Sequence, residues 1–315
     1  MLTLGIDTSN YATSLAVFCT DTKEVVCATK RFLPVKQGEL GLRQSDAVFH
    51  HTQALPELLR EMSTQSDFLQ IGAVGVSARP RPVEGSYMPC FLTGVAAATA
   101  FAFGRGVPLC ETTHQQGHVA AALYATGDET LFHKETLVFH ISGGTTELLL
   151  CKDNQVLCKV GGSTDLYAGQ AVDRIGVKLG FAFPAGAEVS ALAETCAEAM
   201  HPKVSVNGTN CSLSGLENQC NHLLSQGAAP AYAAKYCLCA VGETILRMVK
   251  AARQQYPAAA VVCAGGVMSS SIVRGYVQSV MPEVHFVPAQ YAGDNAIGIA
   301  VLTAGEGLAW RTQSV

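Results

Sequence analysis

Charge is scarce in this 315-residue chain. Only 15% of its residues are Asp, Glu, Lys or Arg, and 25 acidic against 21 basic side chains leave a net charge of −4. No global basic field is available to hold a nucleic acid non-specifically, so an RNA contact needs a local patch or a partner. Any Cys-x-x-Cys spacing is also missing: the 12 cysteines are scattered, with one Cys237-Leu-Cys239 pair. Neither a zinc ribbon nor a regular disulfide framework is written in that pattern, and reduced thiols of a cytoplasmic protein are expected. A secretory leader is not expected either, because Asp7 interrupts the first apolar run. Residues 85–104 carry no charge, yet Pro89 and the small residues of Gly94 to Ala98 suit a helix packed in protein rather than in lipid. No membrane span is expected.

Apolar residues and glycine are plentiful. The chain is 49% hydrophobic with 30 glycines, which excludes intrinsic disorder and, at this length, a small stapled scaffold. The first half reads strand (Leu2 to Asp7), polar turn (Thr8 to Tyr11), strand (Ala12 to Phe18), and a third strand around Val25 to Thr29. Helices are expected at Ser45 to Met62, 90–103 and Thr113 to Tyr124, alternating with buried strands at Ile71 to Val76 and Val107 to Cys110. The second half opens the same way: Leu137 to Ile141, the turn Ser142-Gly-Gly-Thr145, a returning strand Thr146 to Cys151, and a third at Gln155 to Val160. Helices follow near Ala168 to Leu179, Pro230 to Gln255 and Asp294 to Ala304, with strands at Ala260 to Cys263 and Val284 to Phe286. Two matching openings imply an internally duplicated α/β fold, here divided into lobes 1–127 and 128–315 with a helical insertion near 185–230.

Small polar and glycine turns between strands present backbone N–H groups to an anion, and serine or threonine adds hydroxyl donors. One such turn reads as an ordinary hairpin; two at matching places in two half-repeats point to a nucleotide phosphate. Gly265-Gly266, between an apolar strand and a helix, is either a plain strand-to-helix turn or a third loop of the same site. His114 and His118 stand four residues apart, so on a helix both imidazoles project from one face and can share a metal ion. The alternative is two surface histidines, and further ligands must come from elsewhere. Asp294 sits where a helix begins and reads equally as an N-cap.

Taken in order, Gly5-Ile-Asp-Thr-Ser9, Gly94, Pro108 with His114 and His118, Ser142-Gly-Gly, Gly161 to Asp173, Ser212-Leu-Ser-Gly215, Gly265-Gly-Val267 and Asp294-Asn295 resemble the TsaD family, also called Gcp or Kae. Its members carry out threonylcarbamoyl transfer in tRNA t6A synthesis. The resemblance covers roughly residues 1–305. It implies an actin-like ATPase fold of two RNase H-like lobes with metal and nucleotide in the cleft between them. Implied metal ligands are His114, His118 and Asp294, for iron or zinc, with His140 added because related members place a further ligand two residues before the Ser-Gly-Gly turn. A buried strand histidine is the other reading of His140.

For ATP or a carbamoyl adenylate the resemblance implies contacts from Ser9, Ser142, Gly143, Gly144, Asp173, Gly186, Gly265, Gly266 and Ser270. Asp7, Ser142 and Thr145 would stand at the reaction centre. Implied partners are an adenine nucleotide, tRNA through a complex, and a second copy or a related actin-like subunit.

Departures from the family pattern stand beside the matches. The family's first turn reads Glu-Thr-Ser-Cys-Asp-Glu-Thr, where this chain has Asp7-Thr-Ser-Asn-Tyr-Ala12-Thr13, so a carboxylate is replaced by Ala12. A glycine-proline-glycine loop has become Ala78-Arg79-Pro-Arg81-Pro-Val-Glu84-Gly-Ser86, whose guanidinium groups can fork onto a carboxylate or phosphate. Thr145, Ser270 and Glu217 replace a histidine, an asparagine and a lysine. These changes point to a paralogue whose acceptor has drifted. Besides the parent activity, two alternatives stand: an O- or N-carbamoyltransferase on a small-molecule or protein acceptor, with Arg79 and Arg81 as substrate residues, and a non-catalytic nucleotide-binding subunit.

Overall fold

In the computed structural model, residues 1–9, 11–34, 42–293 and 295–305 are described. The first compact unit begins with strands β1 (Leu2–Ser9), β2 (Ala12–Cys19) and β3 (Glu24–Phe32), then α1 (Gln44–Ser63) and β4 (Ile71–Arg79). It continues through α2 (Phe91–Arg105), β5 (Leu109–Thr113) and α3 (His114–Tyr124). A second unit, Ala125–Ala292, opens with β6 (Thr136–Ile141), β7 (Thr146–Lys152) and β8 (Gln155–Ser163), followed by α4 (Ala168–Lys178) and α5 (Gly186–Glu194). After these come β9 (Ser205–Asn207), β10 (Asn210–Ser212), α6 (Ser214–Ser225) and α7 (Pro230–Ala252). The unit ends with β11 (Ala260–Ala264), α8 (Ser271–Gln278), β12 (His285–Phe286) and α9 (Ala289–Ala292), and the last helix of the chain is α10 (Ile297–Ala304).

The duplication expected from the two strand-turn-strand openings is present in the strand orders. One sheet runs β3-β2-β1-β4-β5 and the other contains β8-β7-β6-β11-β12 in the same sense. In each, three antiparallel strands form a meander and two later strands add parallel to the first. A tight turn can close the antiparallel pairs, whereas the parallel additions need the intervening helices.

Alternation along the strands sorts the two faces of each sheet. In the first unit Leu4, Ile6, Leu15 and Val17 join Val74 and Val76 in a core against Leu55, Leu58 and Met62 of α1 and Ala98 and Ala102 of α2. In the second, Leu137, Phe139 and Ile141 of β6 join Leu148 and Leu150 of β7 in a core with α4 and α7 residues such as Ile175, Leu238 and Ile245.

Two expectations require correction. The C-terminal segment from Gly293 belongs with Met1–Tyr124 rather than with the second lobe: α10 packs on β1, β4 and α3, and Thr3 Oγ1 donates to the Ala300 carbonyl at 2.8 Å. An all-apolar helix fits either core, and only the polar contact and the surface it covers decide which. Region 185–230 is not purely helical either, since β9 and β10 pair with each other and β10 extends the sheet beside β8. Helix α10 also starts three residues later than expected, with Asn295 Oδ1 accepting from Ile297 N at 3.0 Å; Asp294 lies outside the described residues. Among the described residues no helix is long and apolar enough to cross a membrane.

Ile299 is fully buried where α10 covers the first sheet. Its replacement by alanine should cost about 2–5 kcal/mol, read in urea unfolding, with faster amide exchange in β1 and unchanged exchange in β6.

Candidate functional site

In the first unit the C-terminal half of β1 turns polar. Asp7 is completely buried, and its Oδ1 accepts a hydrogen bond from Ser77 Oγ at the end of β4. The same oxygen lies 3.1 Å from His114 Nδ1. His114 opens α3, and its Nε2 faces His118 Nε2 at 2.9 Å, with the ring centroids 4.3 Å apart. Two ring nitrogens aimed at one another share either a proton or a cation, so the i, i+4 spacing does bring the pair together. A carboxylate behind one ring, fixing its tautomer and raising its basicity, is the usual support of a metal-ligating histidine. The donor set therefore fits a divalent ion as far as His114 and His118 go. Among the described residues no group of three or more His, Cys, Asp or Glu side chains gathers for a metal. His140 belongs to the second unit, half-buried on β6 opposite Glu147. Asp7, expected at the reaction centre, stands behind His114.

Arg79 ends β4 opposite Thr113, the residue before His114. Gln115 N donates to the Pro80 carbonyl at 3.0 Å, and Arg81 N donates to Ser86 Oγ at 3.0 Å. The first bond ties the arginine loop to the first turn of α3 and the second closes the loop on itself, with both arginine residues exposed. Ser9, expected to meet a phosphate, is buried at the end of β1, and its hydroxyl, like that of Ser14, has no hydrogen-bond partner among the described residues.

The second unit holds a cavity of about 430 Å³ whose walls include Gly143, Asp173, Gly186, Gly266 and Ser270. Five residues assigned to a nucleotide from separate motifs thus line one space. Ser142, Gly144, Thr145 and Gly265 stand beside the wall rather than on it. The Ser142–Thr145 turn is closed by Ser142 N to the Thr145 carbonyl at 2.8 Å, and Ser142 Oγ accepts from Gly144 N at 3.3 Å. Gly169 in α4 packs directly on the backbone of Ser142 and Gly143, where a Cβ would collide. Gly265 adopts φ 103° against Ile141, a conformation and a closeness open only to glycine. Asp173 Oδ1 accepts from Ala185 N at 2.9 Å, which fixes the chain entering α5. Ser270 and Ser190 share a hydrogen bond of 2.8 Å.

Three further side chains that shape these places carry no motif signal of their own in the sequence. Ser77 was hidden at the end of an apolar strand, and His51 inside an amphipathic helix. Asp165 lay within the Gly161 to Asp173 motif, with no local sign of its partners. Its carboxylate accepts from Ser212 Oγ and Ser214 Oγ, each at 2.6 Å, and from Leu213 N at 2.8 Å. The Ser212–Gly215 motif is thereby anchored at the start of α6. Partial burial works against ionisation of Asp165, but the hydrogen bonds from Ser212, Ser214, Leu213 N and Leu166 N outweigh it and hold the carboxyl well below the usual range. A depressed pKa contributes stability above the unfolded value of about 4 and loses it as pH falls through the folded value. Asp165→Asn should therefore speed amide exchange at Leu213 and Ser214 at pH 7, and in the wild type the same loosening should appear only in strong acid.

Comparison with known proteins follows the same lines. The family described as tRNA N6-adenosine threonylcarbamoyltransferase (TsaD) matches residues 36–301. The enzyme of that name from Pyrobaculum neutrophilum is 28% identical over 308 residues, covering 96% of this chain and 87% of its own. Its counterpart from Pyrobaculum calidifontis is 31% identical over 275 residues, covering 83% and 76%. Among solved structures, component A of (R)-2-hydroxyglutaryl-CoA dehydratase from Acidaminococcus fermentans superposes with a TM-score of 0.58 at 17% identity, covering 96% of this chain and 98% of that one. HypF from T. kodakarensis gives 0.60 at 13% identity over 96% of this chain and 47% of that one. These likenesses establish the fold as the actin-like ATPase type. A family match that runs through both units, at motifs that line the cavity and form the histidine pair, makes this chain a member of the TsaD family of transferases.

Proposed function

We propose that the protein is a nucleotide- and metal-dependent transferase of a carbamoyl group, with threonylcarbamoyl transfer to tRNA adenosine as its parent activity. The observation that carries this reading is the cavity of the second unit, where Gly143, Asp173, Gly186, Gly266 and Ser270 converge. Glycine walls let a phosphate or a purine lie against backbone N–H groups, and Asp173, steadied by Ala185 N, offers its second oxygen to ribose hydroxyls. Ser142 to Thr145 close one side of that site, and Gly265 sets the backbone of the other.

In the first unit His114 and His118 would hold a divalent ion of the iron or zinc class, with Asp294 and His140 as the further proposed ligands. Such an ion supplies Lewis-acid polarisation of the carbamoyl carbonyl. Asp7 holds the Nδ1 side of His114, which keeps Nε2 available and the ring in one orientation. Ser77 shares the load on the Asp7 carboxylate, and Ser9 presents a buried hydroxyl at the turn.

A second reading concerns the acceptor. The Arg79–Ser86 loop is bonded to the first turn of α3 beside His114, which favours an acceptor or partner bearing carboxylate or phosphate, read by Arg79 and Arg81. That reading keeps the transfer chemistry and changes what receives the group. A related actin-like subunit, or a second copy, is the proposed partner for any tRNA contact.

Calorimetry with ATP, ADP and AMP tests the cavity: Asp173→Ala should weaken binding by about 1–3 kcal/mol, and absence of binding by all three nucleotides at millimolar concentration would count against the reading. Metal analysis of protein purified without chelator tests the histidine pair. His118→Ala should lose stoichiometric metal, while retention of one ion per chain would refute the pair as its ligands.

A further inference from the structure

His51 is a buried histidine that neither the motifs nor the proposed chemistry uses. It lies in α1 with no exposed surface, and its Nδ1 is 2.7 Å from the hydroxyl of Thr13, itself fully buried on β2. Thr13 pairs across the hairpin with Thr8 of β1. Thr8 is held separately: its hydroxyl accepts from Gly94 N and donates to the Cys90 carbonyl, both at 3.1 Å. One helix therefore grips each strand of the hairpin immediately before and after its turn. The neighbouring residues on the opposite face are Ser9 and Ser14, whose buried hydroxyls have no partner among the described residues.

We propose that His51 is a positioning residue, which through Thr13 fixes the start of β2 and, across the strand pair, holds the end of β1 where Ser9 meets an anionic ligand. The proposal rests on the reading of that turn as part of a nucleotide site, and deepens it. Strand ends fixed beforehand lose less freedom on binding, so a hairpin gripped by a helix on each strand needs less reordering when its ligand arrives.

Chemistry of the ring supports the assignment. Burial disfavours the charged imidazole, while the Ser9 carbonyl and the charge of Asp7 on β1 favour it and His50 on α1 opposes it; burial wins and the pKa is lowered. A neutral ring accepts from the Thr13 hydroxyl at Nδ1 and carries its one proton on Nε2. Its Nε2 is buried with no hydrogen-bond partner among the described residues, so Thr13 is the contact through which the ring acts on the hairpin.

Amide hydrogen exchange of the ligand-free full-length protein tests the latch. His51→Phe and Thr13→Val should each speed exchange across residues 9–14 by about tenfold, the loss of one hydrogen bond. The double variant should be no faster than either single one, and Thr13→Ser should stay at the wild-type rate. Unchanged exchange in Thr13→Val, or full additivity in the double variant, overturns the latch; Thr13→Val and Thr13→Ser carry this test if His51→Phe does not fold. ATP affinity, measured in the same variants by calorimetry, should fall in step with the exchange rate. Faster exchange with unaltered ATP affinity would overturn the ligand-presenting role while leaving the latch itself in place.

Discussion

A carboxylate buried without water has to be surrounded by hydrogen-bond donors, and Asp7 places that demand at the centre of the first unit. Its Oδ1 draws in Ser77 from β4 and His114 from α3, so one acidic side chain on β1 fixes the end of a neighbouring strand and the start of a helix. The imidazole of His118 then follows from helical spacing alone. Asp7 also sets the local field. It favours protonation of the His51 ring and, after burial, helps push the Cys90 thiol up to about 11, which keeps that cysteine a neutral packing residue.

The proposed nucleotide site of the second unit is built differently. Its cavity wall combines glycines and serines with the apolar side chains of Val172, Pro184, Ala187, Leu238 and Val267, and Asp173 is the charged group among the wall residues. Backbone N–H groups suit a phosphate because their positions are set by the sheet and helices, not by rotamers. Close backbone packing explains Gly169, pressed on the Ser142–Gly143 turn, and Gly265, at a positive φ against Ile141. Away from the cavity, Asp165 binds Ser212, Leu213 and Ser214 and so sets where α6 begins.

Legibility of the site varied with the range of the interactions that make it. His114 and His118 were readable because i, i+4 neighbours meet on any helix. The residues assigned to a nucleotide came through a resemblance spread over eight short motifs, and five of them share one wall. Ser77 and His51 gave no such sign. A serine ending an apolar strand and a histidine in an amphipathic helix are common, and each acquires meaning only from a partner tens of residues away. The Asp7 position was legible but its orientation was not, since sequence does not say whether a carboxylate faces a substrate or a ring.

By itself the sequence determined the two strand-turn-strand openings, the alternation of helix and strand after each, and the family. These depend on side-chain periodicity and on turn residues, which act over a few positions. Tertiary structure alone decided that α10 returns to the first sheet, that β9 and β10 lengthen the second, and that Asp7 supports His114. In each case the choice lay between surfaces of similar apolarity or acceptors of similar chemistry. For α10 and for Asp7, what settled it was where a buried polar group, Thr3 on one face of β1 and Asp7 on the same strand, finds its hydrogen bonds.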